Sequence, residues 1–380
     1  MKPRYFSIDL LRALAIVLMI QVHFVEYLST REDGSGWLYD TSMILGSLSA
    51  PFFTFLSGVS YSLWVWKQED VGLREREVTR RTLRRGAFLF ALGLVFNCAI
   101  WLPEETFNWD ILTLLGTAYL FLAVARKLPG PVLALMCVAV LLASPPLRVV
   151  GDYASYWRDY EYSYDFTARD VLFGFVANGY FPVFPWIVFP VAGFVGGNAL
   201  FRRRRRNGTP QRWAVAFGLG LLAVAAVGVA FGSRLPAVLA RFYADGATEF
   251  PASTWHVLGM IGLNLVALVA LHRWLDRPAA APRTGRFAAA VFRWSAFSLT
   301  VYVLHHMALL WPLWVAGAAT GHDDSTVFWR SAASAPVALG LAAVCLIVCH
   351  FALFFFERRP RYALESVMRR VCDGPDPKKV

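Results

Sequence analysis

Long apolar segments recur along the whole chain and are separated by short segments rich in charged residues. Of the 380 residues, 57% are hydrophobic. A run of about 20 apolar residues spans the hydrocarbon core of a bilayer, and a helix satisfies its own backbone hydrogen bonds there. The pattern therefore predicts an all-α polytopic integral membrane protein. The ten predicted spans are 7–28, 42–66, 87–103, 109–125, 130–148, 180–201, 213–231, 254–271, 294–316 and 335–356.

Lys and Arg concentrate in alternate loops between these spans. Because cytoplasmic loops carry the excess of positive charge in membrane proteins, both termini are predicted to lie in the cytoplasm. No segment between spans is long enough to hold a hydrophobic core of its own. We therefore expect one transmembrane domain over 1–357, followed by a basic cytoplasmic tail over 358–380. The expected location is the plasma membrane, which in a bacterium is the inner membrane.

The net charge of +11 does not indicate nucleic-acid binding, because the positive residues lie in short loops where they orient the spans. The five cysteines include no CxxC pair, and four of them lie in apolar runs. Neither a disulfide framework nor a cysteine metal site is predicted.

The first span carries four ionisable side chains, which is unusual at membrane depth. Asp9, Arg12, His23 and Glu26 follow helical spacing and form one polar stripe. Each charged group inside a bilayer costs roughly 2.5–3.5 kcal/mol on insertion scales. Asp9 and Arg12 can be an ion pair at the helix end, and His23 can be a neutral side chain bonded to a neighbouring helix. The functional alternative is a base or proton relay that lines a cavity.

The ninth span presents a second polar face. Ser298, Tyr302 and His305 share one side of the helix, and His306 is adjacent to His305. Two histidines in mid-span are unusual core residues. No HxxxH or HExxH motif is present, and a metal site would need further ligands from elsewhere, so no metal is expected.

A basic segment precedes the third span, where Arg80, Arg81, Arg84 and Arg85 occupy successive helical turns. They can act only as topology determinants, or they can also hold a phosphorylated ligand or anionic lipid head groups. Two function classes fit these features. One is an enzyme that takes a phosphate-rich donor from the cytosol, and the other is a transporter with a proton relay.

Segment 7–23 resembles the first-span signature of the heparan-alpha-glucosaminide N-acetyltransferase catalytic-domain-like proteins. Arg12 and His23, with ten residues between them, also satisfy the spacing of the related membrane-bound acyltransferase family 3. The family usually has Gly after this arginine, whereas this chain has Ala13. Further stretches are similar in the same order, namely 50–58, 80–85, 109–116, 181–186, 298–306 and 357–360.

This resemblance implies a transmembrane acyltransferase. Such proteins pass an acyl group, often acetyl, from cytosolic acyl-CoA to an extracytoplasmic acceptor, usually a sugar of a glycan or glycolipid. It implies that His23 acts as general base or transient acyl carrier, with Glu26 or an outer Asp orienting it and His305 or His306 as the alternative base. It also implies that coenzyme A lies along Asp9 and Arg12 and meets the arginines at 80–85. The alternative is a proton-coupled transporter of a small polar solute.

Overall fold

The computed structural model describes residues 4–32, 35–101, 103–158, 161–162, 167–201, 209–244, 246–276, 284–321 and 329–373. The all-α prediction is confirmed. In these ranges the only strands are Trp157–Arg158 and Glu161–Tyr162, two residues each, which pair antiparallel. The helices are Phe6–Leu28 (α1), Gly36–Gly46 (α2), Ser49–Asp70 (α3), Glu75–Ile100 (α4), Ile111–Ala125 (α5), Gly130–Val150 (α6), Tyr153–Tyr156 (α7), Ala168–Phe173 (α8), Val183–Trp186 (α9), Val188–Phe201 (α10), Thr209–Phe231 (α11), Ala237–Tyr243 (α12), Thr254–Leu275 (α13), Arg286–Ala296 (α14), Ser298–Thr320 (α15), Ala335–Arg358 (α16) and Leu364–Asp373 (α17).

Nine helical segments in the described part of the chain are long and apolar enough to cross a membrane. Each overlaps one of the predicted spans. The remaining prediction, 109–125, corresponds to α5, an apolar helix of only 15 residues. At 1.5 Å per residue α5 is roughly 22 Å long, which is shorter than a hydrocarbon core of about 30 Å.

The segment before α10 is irregular, as its prolines predict. A π-helical turn over Gly174–Asn178 precedes the four-residue helix α9. Phe184, which lies before Pro185, has non-helical backbone angles. Proline removes an N–H donor and disfavours helical angles in the residue before it. The regular helix therefore begins only at Val188.

The described chain forms two compact units. The first comprises 1–53 and 271–380, and the second comprises 54–270. In the first unit, α1 is the central element and packs against α2, α14, α15 and α16. Ile16, Ile20 and Val25 of α1 are completely buried. The apolar face of the predicted first span is therefore the core of this unit.

In the second unit, α4 packs along α5, and α3 packs along α10. The second pairing brings two backbones together at glycines. A Cβ atom at Gly58 would lie 1.9 Å from the Pro190 carbonyl oxygen, and one at Gly193 would lie 1.9 Å from the Phe55 carbonyl oxygen. Small residues at such contacts let membrane helices approach closely, so these glycines determine the helix separation.

Candidate functional site

Three histidines from two helices of the first unit meet in one cluster. His23 lies on α1, and His305 and His306 lie on α15. His23 Nδ1 is 3.0 Å from His305 Nε2, and the two rings stack with centroids 5.2 Å apart. The His306 ring centroid is 4.7 Å from that of His23. His305 and His306 are buried, whereas His23 is half-buried and so is the most accessible of the three.

Backbone carbonyls of α15 bond one nitrogen of each buried histidine. His305 Nδ1 lies 3.0 Å from the Val301 oxygen, and His306 Nδ1 lies 2.9 Å from the Tyr302 oxygen. A carbonyl can only accept, so both Nδ1 atoms carry the proton. In the neutral rings the lone pair of each ring then lies on Nε2. His305 Nε2 accepts from His23 Nδ1–H, which leaves the lone pair of His23 on Nε2.

Glu26, the proposed partner of His23, lies one turn further along α1 and is half-buried. The stripe on α1 thus places His23 and Glu26 on one helix face. His23 Nδ1–H, however, donates to His305 on another helix. Sequence spacing within α1 carries no signal for that partner.

The other end of the stripe belongs to a polar network between α1 and α14. Arg4 Nε donates to Asp9 Oδ2 at 2.7 Å, and Ser295 Oγ donates to Asp9 Oδ1 at 2.5 Å. Arg12 donates to the same Ser295 Oγ at 2.9 Å. Both carboxylate oxygens of Asp9 are therefore engaged within the protein. Asp9 is 7% exposed, while Arg12 is half-buried.

Two carboxylates from distant segments cap the helices that carry the histidines. Asp276 Oδ1 accepts from the backbone N–H groups of Phe6 (2.8 Å) and Ser7 (3.3 Å) at the start of α1. Glu365 Oε1 accepts from the N–H groups of Leu299 (2.7 Å) and Thr300 (3.1 Å) at the start of α15. The first N–H groups of a helix have no partner inside it, and a negative charge there is favourable.

The pKa of the Asp276 carboxyl lies below its ordinary value. Burial raises this pKa, but hydrogen bonds from His272 and from the hydroxyl and N–H of Ser7 lower it by more than burial raises it. The Ser7 hydroxyl donates to Asp276 Oδ2 at 2.5 Å, and His272 Nδ1 lies 3.0 Å from the same oxygen. Asp276 is therefore held as a carboxylate.

The second unit contains a cavity of about 860 Å³ between the 126–129 segment, α6 and α10. Arg126 and Lys127 line it beside apolar residues and Asn198. A second cavity of about 320 Å³ shares these residues and adds Trp66 and Glu75. Volumes of this size are typical of small-molecule sites. The lining offers two cations and an amide within an otherwise largely apolar wall.

Arg126 is fixed at the edge of this cavity. Its side chain is 4% exposed and donates to both Glu75 oxygens, at 2.7 and 3.3 Å, and to Thr79 Oγ1 at 2.9 Å. Its Nε is buried and has no hydrogen-bond partner among the described protein atoms. A buried guanidinium N–H without a partner carries a desolvation cost.

The four arginines predicted for the donor lie on α4 in the same unit. Arg80 and Arg84 are exposed. Arg81 donates to Glu77 Oε1 at 3.1 Å, and the Arg85 guanidinium stacks 4.3 Å above the Trp64 ring. None of the four lines either of the two cavities described above. Arg126 and Lys127, which do, directly follow the predicted span 109–125.

Residues 4–228 match the family model described as heparan-alpha-glucosaminide N-acetyltransferase, catalytic. A search among curated proteins finds no match. The matched range includes His23 and the cavity residues of the second unit, whereas His305 and His306 lie beyond it.

Proposed function

Because this chain belongs to the heparan-alpha-glucosaminide N-acetyltransferase catalytic family, we propose that it transfers an acetyl group from acetyl-CoA to a sugar hydroxyl or amine outside the cytoplasm. The family and the membrane-spanning helices make it a multi-pass membrane protein of the acetyltransferase class. The proposal also covers the donor, the acceptor, the plasma-membrane location and the roles of individual residues.

The 3.0 Å contact between His23 Nδ1 and His305 Nε2 is the observation that supports a catalytic role for His23. Val301 holds the proton of His305 on Nδ1, so His305 accepts from His23 and directs the His23 lone pair to Nε2. A half-buried imidazole with its tautomer determined in this way is suited to general-base catalysis. His306 and Glu26 flank this pair and complete the proposed catalytic set.

In the proposed reaction, His23 Nε2 takes the proton from the acceptor hydroxyl or amine as that atom attacks the thioester carbonyl of acetyl-CoA. The new bond joins the acceptor oxygen or nitrogen to the acetyl carbon, and the carbon–sulfur bond breaks. The proton then passes from His23 to the CoA thiolate. A route through acetyl-His23 would use the same nitrogen as nucleophile.

The cavity of the second unit supports the donor part of the proposal. The diphosphate and 3′-phosphate of coenzyme A are anions, which Arg126 and Lys127 suit, and its pantetheine arm suits the apolar wall. Arg80, Arg81, Arg84 and Arg85 lie on α4 close in sequence to Thr79, which bonds Arg126. We assign these four to attracting the anionic donor. Arg12 remains a proposed contact of the acetyl-CoA donor. Asp9 positions Arg12 through Ser295, whose hydroxyl donates to Asp9 and accepts from Arg12.

Acetyl transfer in proteoliposomes tests the proposal. Purified protein is given acetyl-CoA labelled in the acetyl group, together with a panel of oligosaccharide acceptors, and CoA release and labelled product are measured. His23→Gln is expected to abolish transfer, and His350→Gln, on a histidine outside the cluster, is expected to retain it. The absence of CoA binding and release with every acceptor would overturn the proposal.

The same histidine pair also fits a proton relay, because two imidazoles in hydrogen-bond contact can exchange a proton. The alternative function is therefore a proton-coupled transporter of a small polar solute. It predicts flux driven by a pH gradient in the same liposomes and no response to acetyl-CoA. The two assays in one preparation distinguish the two functions.

A further inference from the structure

We propose that the cluster of His23, His305 and His306 binds one divalent transition-metal ion, of which Zn²⁺ is the best fit, and that bound metal inhibits acetyl transfer. One ligand atom from each histidine lies within 4.8 Å of those of the other two. The sequence contains the adjacent pair His305 and His306 without a third ligand at motif spacing. Folding supplies that third ligand from α1.

The hydrogen bonds of the cluster prepare it for a metal. Histidine ligands usually donate their other ring N–H to a carbonyl or carboxylate, which fixes ring orientation and tautomer. His305 and His306 both do so through Nδ1, to Val301 and Tyr302. Metal binding at Nε2 therefore requires no loss of a proton from either ring. Both acceptor carbonyls belong to the same helix as the ligands, so the arrangement depends on α15 alone.

The distances suit a small tetrahedral ion. Zinc binds histidine nitrogen at about 2.0–2.1 Å, which places two tetrahedral ligand atoms roughly 3.3 Å apart. His23 Nδ1 and His305 Nε2 are already 3.0 Å apart. His306 needs only to move its nitrogen toward this pair from within 4.8 Å. Three histidines leave a fourth position for water, as in open zinc sites.

The donor set selects the metal class. Three neutral imidazoles suit Zn²⁺, Co²⁺, Ni²⁺ and Cu²⁺, whereas Mg²⁺ and Ca²⁺ prefer oxygen ligands. The cluster itself holds only imidazole nitrogen. We therefore expect discrimination between Zn²⁺ and Mg²⁺ at equal concentration.

The expected inhibition of acetyl transfer by bound metal follows from the tautomer of His23. This part of the inference rests on the proposed function. In the free cluster His23 donates through Nδ1 to His305, and its lone pair lies on Nε2. A metal bound at Nδ1 requires the proton to move to Nε2. His23 then has no free lone pair with which to accept a proton from the acceptor. Metal and acceptor proton thus compete for one imidazole.

Metal titration of the purified full-length chain tests the site. Untagged protein in detergent, stripped with a chelator, is titrated with ZnCl₂ in a calorimeter, and the Co²⁺ form is examined for the visible absorption of tetrahedral cobalt. We expect one ion per chain, no competition by MgCl₂, and at least tenfold weaker binding for His23→Gln, His305→Gln and His306→Gln. His256→Gln and His350→Gln, at histidines outside the cluster, should bind as the unaltered protein does.

His306→Gln separates binding from folding, because it leaves the contact between His23 and His305 in place. Its thermal unfolding temperature should match that of the unaltered chain while its zinc affinity falls. Absence of saturable binding at one ion per chain, or an affinity in the three cluster variants equal to that of the unaltered protein, would overturn the site. Acetyl transfer measured in EDTA, together with the zinc titration, distinguishes the two proposals. If the protein transfers acetyl groups but binds no zinc, only the metal site is rejected. If it binds zinc but transfers no acetyl group, only the proposed reaction is rejected.

Discussion

His23 Nδ1 on α1 lies 3.0 Å from His305 Nε2 on α15, although 282 residues separate them in the chain. This contact joins the polar stripe of the first span to the histidine pair of a late span. The proposed base is therefore a unit of two helices.

Replacing His305 with Phe should lower acetyl transfer by a factor of about 10²–10⁴, the usual contribution of general acid–base catalysis. Phenylalanine fills the site but cannot accept from His23 Nδ1–H, so the tautomer of His23 is no longer determined. The rate is measured with saturating donor, beside the binding affinity for CoA, which should be unchanged. His350→Phe is the matched control, and full activity in His305→Phe would exclude His305 from the base.

Lys127→Ala should weaken CoA binding about tenfold, because it removes one of the two cations that line the larger cavity. Its contact with Glu75, at 3.6 Å, is exposed and contributes little to folding. The dissociation constant is measured by calorimetry at low and high salt, and the difference between the two proteins should shrink at high salt. Arg31→Ala removes an equal charge from an exposed pair with Asp40 in the other unit and should leave CoA affinity unaltered.

Gly193→Ala should destabilise the second unit, because the new Cβ would meet the Phe55 carbonyl oxygen at 1.9 Å and force α3 and α10 apart. Overpacking of this kind costs about 1–3 kcal/mol or more. Gly220→Ala is the control, since no atom lies within 4 Å of its added Cβ. Thermal unfolding in detergent should show a large loss for Gly193→Ala and no loss for Gly220→Ala, and equal unfolding temperatures would contradict the close approach.

Asp276→Asn should destabilise the first unit at neutral pH by about 1–2 kcal/mol, since the capping charge at the start of α1 is lost. The pKa of Asp276 is lower in the folded protein than its ordinary value of about 3.9. Its stabilising contribution is therefore complete above that value and disappears as the pH falls through the lower, folded pKa. The free energy of unfolding of both proteins is measured from pH 7 downward. A difference that stays constant to the lowest pH would contradict the carboxylate role.

Glu365→Ala should destabilise α15 by about 1–2 kcal/mol, because Leu299 N–H and Thr300 N–H lose their acceptor. Hydrogen exchange at the start of α15 should quicken before exchange elsewhere in the first unit. Glu357→Ala removes an equal charge from an exposed carboxylate that pairs with Arg293 and should have little effect. Equal exchange in both variants would show that Glu365 does not cap the helix.

Much of the fold follows from local pattern. The length and apolarity of the spans predict the helices, since a segment in lipid must bond its own backbone. The prolines before α10 predict its irregular start for the same local reason. The capping carboxylates Asp276 and Glu365 were not predicted, because they lie 269 and 65 residues from Ser7 and Thr300. Capping signals read from sequence reach only a few residues.

The candidate site likewise combines features that the local sequence predicts with features that only the tertiary structure determines. Helical spacing alone placed Asp9, Arg12, His23 and Glu26 on one face of α1 and two adjacent histidines on α15, because 3.6 residues per turn is a local property. The contact between His23 and His305 was decided by packing between helices distant in the chain. The cavity at Arg126 and Lys127 was decided in the same way, since its wall combines the 126–129 segment with α6 and α10 of the second unit. Local periodicity assigns side chains to faces, but only the tertiary fold selects which faces meet.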